Sequence, residues 1–252
     1  MRKYILVLLF IPFMSCVQKA NSVSDFAYSS NSEISSRATI MSHQKWNALL
    51  QKHVSTSGKV DYLGFKKDSV ALQSYLDLLA KNLPQKSWSK NATLAYWINA
   101  YNAFTVKLIL DNYPVKSIKD IKKPWDQEFI MLENRAYSLG GIEHKILRKM
   151  NEPRIHFAIN CASYSCPNLL NEAYTEDKLE QQLEHATASF INDKTKNKIT
   201  KDKIEISKIF DWFSNDFKKN GTLIDFLSKY STLKINANAN IKFKAYNWNL
   251  NS

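Results

Sequence analysis

Apolar positions along the chain follow two periods, and these lay out its elements. Trp46, Leu49, Leu50 and His53 recur at helical spacing and predict a helix near 42–53. Gly58 then turns the chain into a short strand, Lys59 to Leu63. Leu72, Tyr75, Leu76 and Leu79 form one stripe of a helix over 69–81. Ser89 or Asn91 caps the next helix, which runs to about Asn112 and stops before Pro114. Phe129 to Leu132 and Ala136 to Leu139 read as a hairpin around Glu133, Asn134 and Arg135. A helix comes next near 142–150, and Arg154 to Asn160 alternates as a strand. Thr175 caps a helix over 176–191. Ile204 to Ser207 and Ile241 to Tyr246 read as strands, with helices near 208–217 and 222–230 between them. The class is α+β: a helix-rich single domain with a small mixed or antiparallel sheet.

The N-terminal segment departs from this pattern. Arg2 and Lys3 precede an apolar run from Tyr4 to Met14. The run is shorter than the roughly 20 residues a membrane span needs, and it fits the apolar region of a signal peptide. It ends in Phe13-Met14-Ser15-Cys16, which resembles the lipobox of bacterial lipoproteins. That resemblance implies cleavage before Cys16 and acylation of its thiol, with palmitate among the chains attached. Residues 17–38 are rich in Ser and Asn and read as a flexible tether. The expected organisation is a lipoprotein signal peptide over 1–15, a tether over 16–39 and a globular domain over 40–252. Val17-Gln18-Lys19 carries no acidic tag behind Cys16. The expected location is therefore the cell envelope, on the periplasmic face of the outer membrane.

Composition agrees with a chain that folds around a core: 44% of residues are hydrophobic and 12% aromatic. The formal charge is +12, and removal of Arg2 and Lys3 lowers it to +10. A basic envelope protein is drawn to anionic lipid heads and polymers. The lysines are scattered, with mild enrichment at 116–123 and 194–203, which reads as a solvated surface. With export expected and no binding motif present, nucleic acid is not an expected partner. The expected partners are the membrane, through the lipid, and an envelope ligand or protein. There is no Gly-rich phosphate loop and only five glycines occur, so no nucleotide or other cofactor is expected.

The helix over 91–112 carries no charge between Lys90 and Lys107 and is apolar on most sides, the signature of a buried helix. Asn99 and Asn102 are three positions apart and share a face. A buried amide needs partners. These two therefore either brace a neighbouring loop or, with Trp97 and Tyr101 beside them, line a polar binding pocket.

A second cluster joins Glu143, His144 and Arg148 to His156, Cys161 and Cys166. In an extended strand His156 and Cys161 stand about 16 Å apart, so they pair only if the chain turns back after Asn160. Should that strand pack against the preceding helix, His144 falls level with Phe157, near His156, with Glu143 adjacent.

Several segments of this chain, in order, resemble the domain-of-unknown-function 547 (DUF547) family. They are Tyr96-Trp97-Ile98-Asn99-Ala100-Tyr101-Asn102-Ala103, Ile142-Glu143-His144-Lys145-Ile146-Leu147-Arg148 and His156-Phe157-Ala158-Ile159-Asn160-Cys161-Ala162-Ser163-Tyr164-Ser165-Cys166-Pro167. Val60-Asp61-Tyr62, Tyr113-Pro114-Val115-Lys116-Ser117-Ile118, Pro124-Trp125-Asp126 and Tyr246-Asn247-Trp248-Asn249-Leu250-Asn251 extend the likeness over about 42–251. The family's closing motif usually has an acidic residue where this chain has Asn247.

Two functions compete. The favoured expectation is a binding or scaffold lipoprotein with a polar His/Cys/Asn pocket. The alternative is a cysteine-dependent hydrolase or transferase acting on a peptide, amide or ester. Cys161 or Cys166 would then be the nucleophile and His144 or His156 the base, with Glu143, Asn99 or Asn102 as orienter or oxyanion donor. The thiols themselves admit three states outside the cytoplasm: a disulfide, a catalytic thiol beside a spectator, or two inert buried thiols. A metal site is not expected, because the His-x-x-x-His and Cys-x-x-Cys spacings are missing.

Overall fold

A computed structural model describes residues 41–252. The expected signal peptide, Cys16 and the whole of the expected tether lie outside the described residues. One long helix organises the N-terminal half of this domain. α1 (Gln44–His53), α2 (Tyr62–Lys67) and α3 (Ser69–Lys81) lead into it, as α4 (Lys90–Asp111), whose positions from Leu94 to Val106 are all buried. Ser89 caps α4 by accepting the Ala92 N–H at 3.0 Å. α2, α3 and the segment over 141–150 pack around α4. With no polar face, α4 gains its stability from this surrounding burial.

A hairpin, β1 (Ile130–Leu132) and β2 (Arg135–Tyr137), comes next, as expected. The chain then runs through a π-helix, Gly141–Ile146, a 3₁₀ turn, Leu147–Met150, and α5 (Ile155–Ala158). After α6 (Leu179–Asn192) come β3 (Lys198–Ile199), β4 (Lys203–Ile206), α7 (Ile209–Trp212), α8 (Ser214–Phe217), α9 (Leu223–Tyr230) and β5 (Asn240–Phe243). β4 is the centre of a mixed sheet, antiparallel to β3 and parallel to β5. The class is the helix-rich α+β arrangement the pattern predicts. Among the described residues no helix is long and apolar enough to cross a membrane.

Four local expectations are corrected. Arg154 to Asn160 is not a strand: Arg154 is helical in backbone, Ile155–Ala158 is a helical turn, and Ile159 is extended. All four residues of the turn are buried, with Ile155 and Ala158 in the core around α4 and Phe157 in a second, aromatic core around α6, α7 and α9. A short run buried on every side carries no decisive period, and Pro153 pre-sets the backbone for a helical start. Lys59 to Leu63 is reduced to one bridge, Val54 to Val60, because Asp61 accepts the Gly64 N–H at 2.8 Å and starts α2. Thr175 does not cap α6: its N–H donates to Gln182 Oε1, and the helix begins at Leu179. The expected helix over 208–217 breaks at Phe213 into α7 and α8.

Candidate functional site

The loop that carries both cysteines is held from below by α4. Asn102 Nδ2 donates to the Ala158 carbonyl at 3.0 Å, and Asn102 Oδ1 accepts the Asn160 N–H at 2.8 Å. The side chain thus pairs with the loop backbone as another strand would. Asn160 continues the brace: its Nδ2 donates to the Pro167 carbonyl, and its Oδ1 accepts from the Ala162 N–H and from Asn251 Nδ2. Ala162 takes a left-handed backbone, φ 59°, a conformation that costs an L-residue about 1–2 kcal/mol and bends the chain sharply. The C-terminal segment closes the other side, where the Tyr164 N–H donates to the Asn249 carbonyl and the Ser165 N–H to that of Asn247. Asn99 does for another loop what Asn102 does here, donating to the Tyr174 carbonyl and accepting the Tyr174 N–H.

The turn brings the thiols together. Cys161 Sγ lies 2.9 Å from Cys166 Sγ, and both are free cysteines. The Cys161 N–H donates to Cys166 Sγ at 3.0 Å. Cys161 Sγ also has Ser163 Oγ at 3.3 Å and the Tyr246 hydroxyl at 3.4 Å, and Ser163 donates to Tyr246 at 3.0 Å. The bond from Cys166, with those from Ser163 and Tyr246, holds the Cys161 thiol below its ordinary pKa. Burial pushes Cys166 in the opposite direction. The pair is therefore asymmetric: Cys161 is half-buried and favours the thiolate, while Cys166 is buried and remains a thiol.

His156 stands in a different hydrogen-bonded chain. Its Nε2 lies 2.9 Å from Asp216 Oδ2, and Arg148 grips the same carboxylate through Nε at 2.6 Å and Nη2 at 3.2 Å. These bonds, His156 first, hold Asp216 well below the usual carboxylate range. An ionised carboxylate only accepts, so the shared proton sits on His156 Nε2 and leaves Nδ1 with a lone pair. Nδ1 has no hydrogen-bond partner among the described residues. Burial lowers the His156 pKa, which keeps the ring neutral, and the ring stacks on Phe213 at 3.9 Å. His144 packs on the same Phe213 at 6.4 Å and accepts from Arg148 Nη1 at 3.2 Å. Partial burial, then the Arg148 charge, lowers its pKa as well.

Glu143 is buried and accepts from the Tyr101 hydroxyl at 3.4 Å. Burial, reinforced by the charge of Cys161, raises its carboxyl to about 7. A carboxyl in that range exchanges a proton at neutral pH.

These groups share one cavity of about 280 Å³. Glu143, His144, His156, Cys161 and Cys166 line it with Tyr101, and Trp125, Trp212, Phe213, Tyr246 and Trp248 supply aromatic wall. Of the residues expected at the site, Asn99, Asn102 and Trp97 do not line it. The two amides spend their hydrogen bonds on loop backbone, and Trp97 packs against Tyr96 and Tyr137. Neither histidine is a hydrogen-bond neighbour of either sulfur, since the neighbours of Cys161 Sγ are Cys166, Ser163 and Tyr246. Asp216 and the wall residue Phe213 are additions that the sequence pattern does not predict, whereas Trp125, Trp212 and Trp248 are tryptophans that it reads as core or pocket wall. No local pattern marks Asp216, which is 60 positions from the histidine it holds. Tyr246 and Trp248 belong to a segment that the family resemblance does single out. Among the described residues no group of three His, Cys, Asp or Glu side chains is arranged to hold a metal ion.

Residues 85–191 match the model of a family described as a protein of unknown function, DUF547. The matched segment contains α4, the π-helix and both cysteines. No curated protein and no solved structure matches the chain.

Proposed function

We propose that this DUF547-type chain is an exported, lipid-anchored envelope protein that cleaves or transfers acyl groups of amides or esters through Cys161. One observation carries the enzymatic part. A neutral His156, oriented by Asp216 and with Nδ1 unpartnered among the described residues, lines the same small cavity as a half-buried thiol of lowered pKa. Nucleophile, base and orienter on one cavity are the parts of covalent acyl transfer. The Cys161 sulfur attacks the acyl carbon, and a tetrahedral oxyanion forms beside the Tyr246 hydroxyl. Cys161 attacks as the thiolate it favours, the departing amine or alcohol takes its proton from water, and His156 Nδ1 is the base that assists the water attacking the thioester. The thioester that remains is then hydrolysed by water, which returns the thiol and releases a carboxylic acid. The aromatic wall suits an acyl group with a flat apolar portion, and the volume limits its size.

The rival reading is a binding or scaffold protein. It is supported by the bonds of the Cys161 sulfur to Cys166, Ser163 and Tyr246 rather than to a histidine. One experiment separates the two. The purified domain is mixed with p-nitrophenyl acetate and benzoate, and the intact mass and nitrophenol release are followed. Acyl transfer predicts a burst and an acyl adduct on Cys161, both lost in Cys161→Ser, and slower hydrolysis of that adduct in His156→Gln. Nitrophenol release by wild type at the rate of Cys161→Ser, with no adduct, favours the binding reading. Anchoring is tested separately: Cys16→Ser should abolish incorporation of an alkynyl palmitate and release the protein from membranes.

A further inference from the structure

We propose that Cys161 is a reversible oxidation site and that Cys166 is its resolving thiol, so that peroxide converts the pair into a disulfide instead of destroying the more accessible sulfur. This rests on the same cavity as the proposed acyl transfer, but not on that activity. Three observations carry it.

The two sulfurs are already in contact at 2.9 Å, in a turn whose ends are fixed. Asn160 ties Pro167 and Ala162 together, and the Cys166 N–H donates to the Ser163 carbonyl. Closing a bond between them needs the sulfurs to approach by about 0.9 Å. The pair is also graded in access. Cys161 is half-buried on the aromatic cavity, where a small oxidant meets it, while Cys166 is 5% exposed and holds its proton, which makes it the slower of the two to be oxidised. Thiolate character and exposure select which cysteine is oxidised first. Finally, Cys166 lines a second, more polar cleft of about 320 Å³ with Lys59, Lys196 and Asn168. A reducing dithiol therefore has a face of the pair to approach that does not pass through the acyl site.

The chemistry balances with hydrogen peroxide as oxidant. The Cys161 thiol takes one oxygen atom to become a sulfenic acid, and water leaves. The Cys166 sulfur then attacks the sulfenic sulfur, forming the S–S bond and releasing a second water. Two electrons have passed from the dithiol to the peroxide. A reducing dithiol returns them by exchange, restores both thiols and is itself oxidised to a disulfide. In an exported protein, where no glutathione pool protects thiols, this spares Cys161 from the irreversible sulfinic and sulfonic acids.

The test uses the purified protein, hydrogen peroxide and then dithiothreitol, read by intact mass and by iodoacetamide labelling. Wild type should lose two hydrogens in mass and lose labelling, and reductant should restore both. Cys166→Ser keeps an acceptor for the Cys161 N–H; it should gain oxygen at Cys161, and most of its labelling should be lost permanently. Cys161→Ser should show no disulfide and little oxidation of Cys166. Equal and irreversible oxygen uptake by wild type and Cys166→Ser overturns the proposal. So does wild type that keeps both thiols at peroxide levels that oxidise Cys166→Ser. These readouts are independent of ester turnover, so an inactive enzyme with a reversible disulfide refutes acyl transfer alone.

Discussion

Asp216 and His156 meet at 2.9 Å across 60 positions of chain, and their bond decides which imidazole nitrogen bears the proton. Replacing Asp216 with Asn leaves a group that can donate as well as accept, so the tautomer is no longer fixed. It also leaves Arg148 without its carboxylate. Hydrogen bonds to charged groups are worth about 1.5–3 kcal/mol, and urea denaturation of Asp216→Asn should show a loss of that size at pH 7. The acid limb should change too. The folded carboxyl titrates below its unfolded value, so its stabilisation is complete above about pH 4 and fades as pH falls below that. The variant should therefore lose less stability than wild type between neutral and acid pH. An unchanged acid limb would refute the bond's contribution.

Asn102 and Asn99 make the same pair of backbone bonds to different loops, which makes them a matched control. Each alanine substitution leaves a buried N–H and a buried carbonyl unpaired, and each should cost about 2–4 kcal/mol. Only Asn102 supports the cysteine loop. The rate of iodoacetamide reaction at Cys161 should change severalfold in Asn102→Ala and stay near wild type in Asn99→Ala. Equal rates in the two variants would show that the brace does not set thiol reactivity.

Much of this arrangement is legible in the chain. The uncharged run of α4 announces a helix buried all round, and Asn99 and Asn102 on it announce polar obligations. Which obligations they meet is a tertiary matter, decided by the loops that arrive at Ala158 and Tyr174. The grouping of Glu143, His144, His156, Cys161 and Cys166 on one cavity is also legible, although through a strand that is a helical turn. Asp216 is not legible: it lies in a four-residue helix, α8, with no periodic signal, and acquires a partner only when the second core packs Phe213 and Phe217 against His156.

Glu143 gives a stability prediction with the opposite sign to Asp216. Its folded carboxyl titrates near 7, above the unfolded value of about 4.3. Between those values the unfolded chain gives up its proton first, so rising pH favours unfolding until the folded carboxyl ionises as well. Glu143→Gln removes the titration and keeps an acceptor for Tyr101. The variant should be flatter than wild type from pH 4.5 to 7, and at pH 8 more stable by up to about 3 kcal/mol. Parallel pH profiles from chemical denaturation would contradict this.

Trp212 tests the reading of the aromatic wall as the acyl-binding surface. It stacks on Trp248 at 5.7 Å and lines the cavity, so it is placed to touch a ligand. Although 44% exposed, it still hides more than half of a large side chain against Tyr246 and Trp248, and Trp212→Ala should lower stability by up to about 3 kcal/mol. Aromatic pairing adds about 0.5–1.5 kcal/mol beyond simple burial, which corresponds to at most about tenfold in rate. Trp212→Ala should therefore acylate with p-nitrophenyl benzoate up to about tenfold more slowly and with the acetate at nearly the wild-type rate. A uniform loss on both esters would mean that Trp212 shapes the catalytic groups instead. Unchanged rates on both would place the acyl group elsewhere in the cavity.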